Sequence, residues 1–350
     1  MNFIYYLRDH LRLHPSAQPR DVVKLCYQSA FGAEHLLLDI ATAKEYFDDE
    51  FSSVSENEDA LFEQISSEYC RINLAAWKSA GLPGEWLFNM FRITASSSVV
   101  ADADAMFSGC LQDVESMVAH GEAPFTEEDW HVFMDGYDAF SPKPVHHSEE
   151  YRKSERPAYR VVSMQYARLI PLLKLIDKVP EHPGIIAIDG RSASGKTTLA
   201  NALEEIIDAG VIHMDDFFLP GDLRTDARLA SPGGNVHYER FLSEVLPCLS
   251  SGNAFSYRAF DCEEMRLGDI RHVRESKWRV VEGAYSCHPE FSDYMGLRVF
   301  CDTAPDEQLR RIARRNGEEM ADVFKSRWIP MEELYFKACS ISEKADISLG

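Results

Sequence analysis

The sequence predicts an α/β fold, a parallel sheet with flanking helices, preceded by a mostly α-helical N-terminal domain, and three observations predict it. The first is Gly190-Arg191-Ser192-Ala193-Ser194-Gly195-Lys196-Thr197, which fits the phosphate-binding pattern G-x-x-x-x-G-K-[ST] without a mismatch. The second is its context. Ile185-Ile186-Ala187-Ile188 upstream suits a buried parallel strand, and from Thr197 to Ile207 the apolar residues Leu199, Ala202, Leu203 and Ile206 recur at helical spacing. The third is a set of later apolar runs that each stop at an acid: Val211 to Met214 before Asp215, Arg279 to Val281 before Glu282, and Leu297 to Phe300 before Cys301 and Asp302. Strand, glycine loop and helix in that order open a P-loop NTPase fold, and the motif alone would arise by chance in roughly one per cent of chains this long.

At 350 residues the chain is long for one core and comfortable for two domains. A net charge of −21 argues against a nucleic-acid surface, because binding a duplex depends on Lys and Arg neutralising phosphates. The eight cysteines are scattered without a C-x-x-C, so neither a metal knuckle nor a disulfide framework is expected. No run approaches the length that spans a bilayer, and the N-terminus turns charged too early for a signal-peptide core, so a cytoplasmic protein with no membrane partner is expected. Nothing in the composition fixes an oligomeric state.

Residues 1–178 read as the mostly helical domain, of unassigned function. Helices are expected over Asn2 to Leu13, from Pro19 and Asp21 to Phe31, over Ala41 to Phe51, Asp59 to Ala80 and Ser97 to His120, and from the capping sequence Thr126-Glu127-Glu128-Asp129 into Trp130, Phe133 and Met134. Gly81-Leu82-Pro83-Gly84 and Gly121-Glu122-Ala123-Pro124 read as turns. Two stretches are dense in functional groups. Phe31-Gly32-Ala33-Glu34-His35 reads first as a helix end with a polar contact. Ser141 to Arg160 reads as a long loop carrying His146, His147, Tyr151, Arg152, Arg156, Tyr159 and Arg160, either functional or a solvated connection. A last helix, Val161 to Asp177, is interrupted at Pro171, and the prolines at 180 and 183 mark the boundary before the second domain, residues 182–350.

The chemistry of the glycine loop follows from its spelling. Successive N–H groups can curl around phosphate oxygens only where glycine removes a Cβ, and the following helix starts with its positive end at the anion. Residues 190–197 and Thr198 are therefore the candidate nucleotide-binding residues, with Lys196 reaching the terminal phosphates from a solvent-accessible mouth and Thr197 offering its hydroxyl to Mg²⁺. Ligands of open parallel sheets lie at the carboxyl ends of the strands, which places Asp215 and its neighbour Asp216 opposite the phosphates. Helix Glu307 to Arg315 bears Arg310, Arg311, Arg314 and Arg315, a cationic cluster suited to a lid over transferring phosphates.

On these residues the second half resembles the uridine kinase and phosphoribulokinase branch of P-loop small-molecule kinases. The resemblance covers about 170 residues and is carried by GRSASGKTT, MDDFF, Tyr257-Arg258-Ala259-Phe260-Asp261, VVEGAYS, FCDTAPDEQLRRIARRNG and the closing Ala345-Asp346-Ile347. It implies ATP and Mg²⁺ as cofactors and a small hydroxyl-bearing acceptor. It further implies Asp215 as general base, Glu282 beside Thr197 at the metal, Arg311 and Arg315 in the closing lid, and Phe217 and Tyr257 at the acceptor. Uridine kinases carry, five residues after that tyrosine, a histidine that reads the pyrimidine ring; this chain has Cys262, a poor partner for a base edge. The segment Leu229 to Tyr238 likewise departs from the acidic motif of the family. ATP use is thus expected, and uridine is not the expected acceptor.

A different class stands as the alternative, a nucleotide-hydrolysing or nucleotide-switched module with the helical half as effector. It would call for an Asn-Lys-x-Asp base-reading motif or a long apolar strand ending in Asp-Glu with an arginine finger, and the sequence has neither.

Overall fold

In the computed structural model, residues 3–33, 39–97, 102–180 and 183–350 are described, and the chain divides into two compact units, Met1–Pro171 and Leu172–Gly350. Glu34 and His35 lie outside the described residues. Gly32, just before them, ends the helix Pro19–Phe31 with φ of 62° and donates its N–H to the Gln28 carbonyl at 3.0 Å.

The first unit is helical around a small antiparallel sheet. Helix Pro19–Phe31 packs on Ala103–Ala119, with Tyr27 and Phe31 meeting Phe107. Helix Glu127–Asp135 starts where its capping sequence places it, Thr126 Oγ1 accepting from the Asp129 N–H at 3.1 Å and the Asp129 carboxylate from the Thr126 N–H at 2.9 Å. The expected helix from Asp59 to Ala80 is corrected. Phe62–Gln64 (β1) and Tyr69–Asn73 (β2) form a hairpin, and only Leu74–Ser79 is helical. Ser66 makes the turn, its Oγ accepting from the N–H groups of Glu68 and Tyr69 at 3.2 and 3.1 Å, and Asn73 Oδ1 caps the short helix at Ala75 and Ala76. The stretch Ser141 to Arg160 is not all loop. Ser148 caps a helix at Glu149–Glu155, and Tyr159–Ser163 (β3) pairs antiparallel with β2, taking the start of the helix expected from Val161. Extended chain wins in these segments because β2 is buried along nearly its whole length and finds its second partner far along the sequence.

The second unit is the parallel α/β fold. Gly184–Gly190 (β4), Gly210–His213 (β5), Trp278–Glu282 (β8), Leu297–Cys301 (β9) and Ile347–Leu349 (β10) pair in parallel in the order β10-β9-β4-β8-β5. Between them Phe255–Asp261 (β6) and Arg266–Val273 (β7) form a hairpin that the sequence did not announce, closed by Asp261 accepting from the N–H groups of Glu263 and Glu264 at 2.9 and 3.0 Å. The motif-bearing β4 lies centrally, buried along most of its length, so the loop leaves the middle of the sheet with β8 on one side and β9 on the other. No helix among the described residues is long and apolar enough to cross a membrane.

Candidate active site

The phosphate loop runs from the end of β4 into helix Lys196–Ile206. Gly190 has φ of 135°, and a Cβ there would meet the Cys301 carbonyl oxygen at 2.0 Å, so only glycine lets the loop leave beside β9. Gly195, with φ of 100°, and Ala193, with φ of 59°, give the loop its left-handed turns before the helix, and the Ser194 N–H donates back to the Arg191 carbonyl at 3.2 Å. Asp189, fully buried beneath the loop, accepts from the N–H groups of Gly190 (2.7 Å), Tyr285 (3.1 Å) and Cys287 (2.9 Å) and from the Tyr335 hydroxyl (2.7 Å), clamping the loop base to the segment after β8.

A cavity of about 570 Å³ opens over the loop, lined on the phosphate side by Ser192, Lys196, Thr197 and Thr198 and across from them by Asp215, Glu282, Arg311 and Arg315. Thr197 Oγ1 lies 3.3 Å from both Glu282 oxygens, and His213 Nδ1 bonds Glu282 Oε1 at 2.6 Å. Hard oxygen ligands in a cleft, one of them oriented by a neighbouring imidazole, fit Mg²⁺. The Glu282 bond, outweighing partial burial, raises the His213 pKa. Asp215 keeps solvent access at the cavity. The protein packed around it raises its carboxyl pKa, with Glu282 and Asp216 adding to the rise and Lys196 and His213 opposing it. Arg311 donates to the Ala193 carbonyl at 3.2 Å and to Glu307 Oε1 at 2.6 Å, which brings the arginine helix onto the loop.

Several expectations need correction. Lys196 is not at an open mouth; it is 9 % exposed, and its ammonium donates to the carbonyls of Gly190 (2.9 Å) and Arg191 (2.8 Å). Arg191 is tied to Asp302 at 2.7 Å and to Glu333, away from the hollow. Phe217 and Tyr257 do not line the cavity. Phe217 is buried against Phe241 and Tyr257, and the Tyr257 hydroxyl donates to Asp216 Oδ2 at 2.8 Å, so both shape the strand end from behind. Asp216 is correspondingly a buried bracket that also meets Arg271 at 3.4 Å. The cavity is lined instead by Phe218, Arg224, Asn235, Cys262, Tyr285 and Trp328 besides the residues named above. Asn235 Oδ1 is buried without a hydrogen-bond partner among the described residues.

Glu332, on helix Ile329–Cys339, is the residue that local pattern gave no means of finding. Its carboxylate accepts from the Ser192 N–H at 3.1 Å and from the Ser192 hydroxyl, holding an anion's place on the loop. Burial raises its pKa, opposed by the Ser192 bonds and by Lys196. Glu332→Gln keeps an acceptor for that amide but removes a negative charge facing the phosphate hollow. It should tighten Mg·ATP binding about tenfold; titration calorimetry reporting unchanged or weaker binding would rule out this competition.

No family model matches the chain. It is 28% identical over 151 residues to a chloroplastic uridine/cytidine kinase of Arabidopsis thaliana, a match covering 41% of this chain and 31% of that protein. It is 29% identical over 159 residues to a uridine kinase of Chlamydia pneumoniae, covering 42% of this chain and 71% of that one. The match thus spans about a third of the length of the plant relative. A solved structure from Bacillus stearothermophilus, described as a possible uridine kinase, aligns over 53% of this chain and all of its own with 20% identity and a TM-score of 0.42. The sequence similarity to uridine kinases is confined to part of the chain, and with the loop and the parallel sheet it supports a P-loop kinase.

Proposed function

We propose that the second unit transfers the γ-phosphoryl group of ATP to a hydroxyl of a small molecule. The observation that carries this is the convergence of Lys196, Thr197, Glu282 and Asp215 on one cavity of about 570 Å³. Phosphoryl transfer is mainly positioning and charge neutralisation. The loop amides and Lys196 hold the β- and γ-phosphates. Thr197 and Glu282 would hold Mg²⁺, which supplies further neutralisation of phosphate charge. Asp215 takes the proton of the acceptor hydroxyl as its oxygen bonds to phosphorus and the bond to the β-phosphate bridge breaks, while Arg311 and Arg315 face the charge spread over the transferring group. A coupled ADP-release screen of the full chain over nucleosides, sugars, vitamins and amino alcohols tests the reading, and release no faster with any acceptor than with water would defeat it.

Uridine is not the expected preferred acceptor. Cys262 stands on the cavity wall, and a wall without a base-pairing imidazole forfeits much of the roughly 10⁴-fold discrimination that matched polar groups give. Arg224 and the unpartnered Asn235 Oδ1 offer a donor and an acceptor to a different hydroxyl-bearing compound. Steady-state kinetics decide this. Uridine or cytidine outrunning every other acceptor, with kcat/KM of about 10⁴ M⁻¹s⁻¹ or more, would make the protein a pyrimidine nucleoside kinase.

A further inference from the structure

The first unit has its own open cleft of about 810 Å³, within the size range of small-molecule sites. Arg71, in the middle of β2, lines it while being only 3 % exposed. The arginine is fixed on several sides. Its Nε donates to Gln28 Oε1 at 2.9 Å, and its guanidinium lies 4.7 Å from the centre of the Tyr159 ring. Among the described residues the terminal nitrogens Nη1 and Nη2 are buried without a hydrogen-bond partner, and Glu63 Oε2 forms an ion pair with Nη1 at 3.8 Å, too long for a hydrogen bond. Leaving a buried guanidinium edge unpaired is unfavourable, and that edge matches the two oxygens of a carboxylate or phosphate.

The surrounding groups hold this arrangement and leave the edge free. Glu63 is engaged by His10 Nδ1 at 2.6 Å and faces His14 Nε2 at 3.6 Å, while His14 Nδ1 meets Glu155 at 3.0 Å. Although burial opposes it, the bonds from His10 and His14, with Arg71 nearby, keep Glu63 well below the usual carboxylate range. Beneath Arg71, Asp21 accepts from His147 Nδ1 at 2.8 Å, and His147 Nε2 accepts from the Tyr159 hydroxyl at 2.7 Å, pinning the ring on which the guanidinium rests. Burial lowers the His147 pKa to about 4, so the ring is neutral and this direction of the chain holds at physiological pH. On the cavity wall Arg156 ends the helix Glu149–Glu155 in a left-handed backbone with φ of 45°.

We infer that the first unit is a binding module for a small hydroxyl-bearing molecule with one phosphate or carboxylate group, its oxyanion seated on Nη1 and Nη2 of Arg71 and its hydroxyls facing Glu63 and Glu155. A divalent metal is the competing occupant, since His10, His14 and Glu63 bring ligand atoms within 4.8 Å of one another. The direct bonds among these groups and the guanidinium 3.8 Å from Glu63 disfavour a cation there.

The test is calorimetry of the full chain with glycerol 3-phosphate and with glycerate, each with and without saturating Mg·AMP-PNP to occupy the phosphate loop. One of the two probes should bind in both conditions, which also tells phosphate from carboxylate, and Arg71→Lys should weaken it about ten- to a hundredfold by losing the fork. Because Arg71 is buried and its variant can misfold, ¹⁵N spectra of the wild-type arginine side chains give a second reading, with the Arg71 signals moving during titration. Absence of binding by both probes, binding abolished by Mg·AMP-PNP, or unmoved Arg71 signals would each overturn the inference. Stoichiometric zinc uptake that is lost in His14→Ala would do so too, by making the cluster a metal centre.

Discussion

Replacing Lys196 by alanine should abolish phosphoryl transfer while the chain stays folded. The ammonium is the cation nearest the phosphate hollow that the loop itself supplies, and removing one preorganised donor to developing charge costs about 10²–10³-fold in kcat. The buried position found for Lys196 adds a consequence for stability. Its ammonium joins the carbonyls of Gly190 and Arg191, and hydrogen bonds from a charged group contribute about 1.5–3 kcal/mol each before the loop relaxes. Circular dichroism should therefore show unchanged secondary structure with a Tm lower by several degrees. Full ADP release by Lys196→Ala with any acceptor would remove the loop from the mechanism.

Asp215→Asn should slow transfer by about 10²–10⁴-fold with little change in ATP affinity, because amide oxygen cannot take the acceptor's proton. Equal losses of rate and ATP binding would make Asp215 a metal ligand instead. The carboxyl is pushed upward by the protein around it and by Glu282 and Asp216. A base works in its ionised form, so a raised pKa means that activity falls with decreasing pH at a less acidic point than an ordinary carboxylate would give. The acid limb of the wild-type pH–rate profile should accordingly be missing from the residual activity of Asp215→Asn.

The parts of this site that the sequence made legible are those whose geometry is local. Gly190 and Gly195 are written into the loop by their positive φ values, and Asp215 and Glu282 stand at strand ends that short apolar runs announce. Of the wall across from the loop, Cys262 and the segment holding Asn235 were legible by resemblance, whereas Phe218, Arg224, Tyr285 and Trp328 were not, because they come from separate segments gathered only by the tertiary fold. Phe217 and Phe218 show the limit most directly. Adjacent residues of one motif point to opposite sides, and the sequence alone could not tell the buried ring from the one at the cavity. In the first unit Tyr69–Asn73 was misread as helix because a strand buried along its length lacks the alternation that marks a half-exposed one, and its partner Tyr159–Ser163 is remote. Arg71 and Tyr159 become neighbours only through that pairing.

The central position of β4 also governs how the second unit can be made. Its two neighbours, β8 and β9, begin only at Trp278 and Leu297. A chain emerging from the ribosome thus carries its glycine loop for about half of the domain's synthesis with no neighbouring strand to pair against, and closing so long a connection must precede any gain from sheet formation. The apolar run Ile185 to Ile188 is exposed throughout that interval, a window in which association with other chains competes with folding. A ribosome-stalled chain ending before Trp278 should be protease-sensitive across residues 184–213, and protection should appear only once residues beyond Cys301 have cleared the exit tunnel.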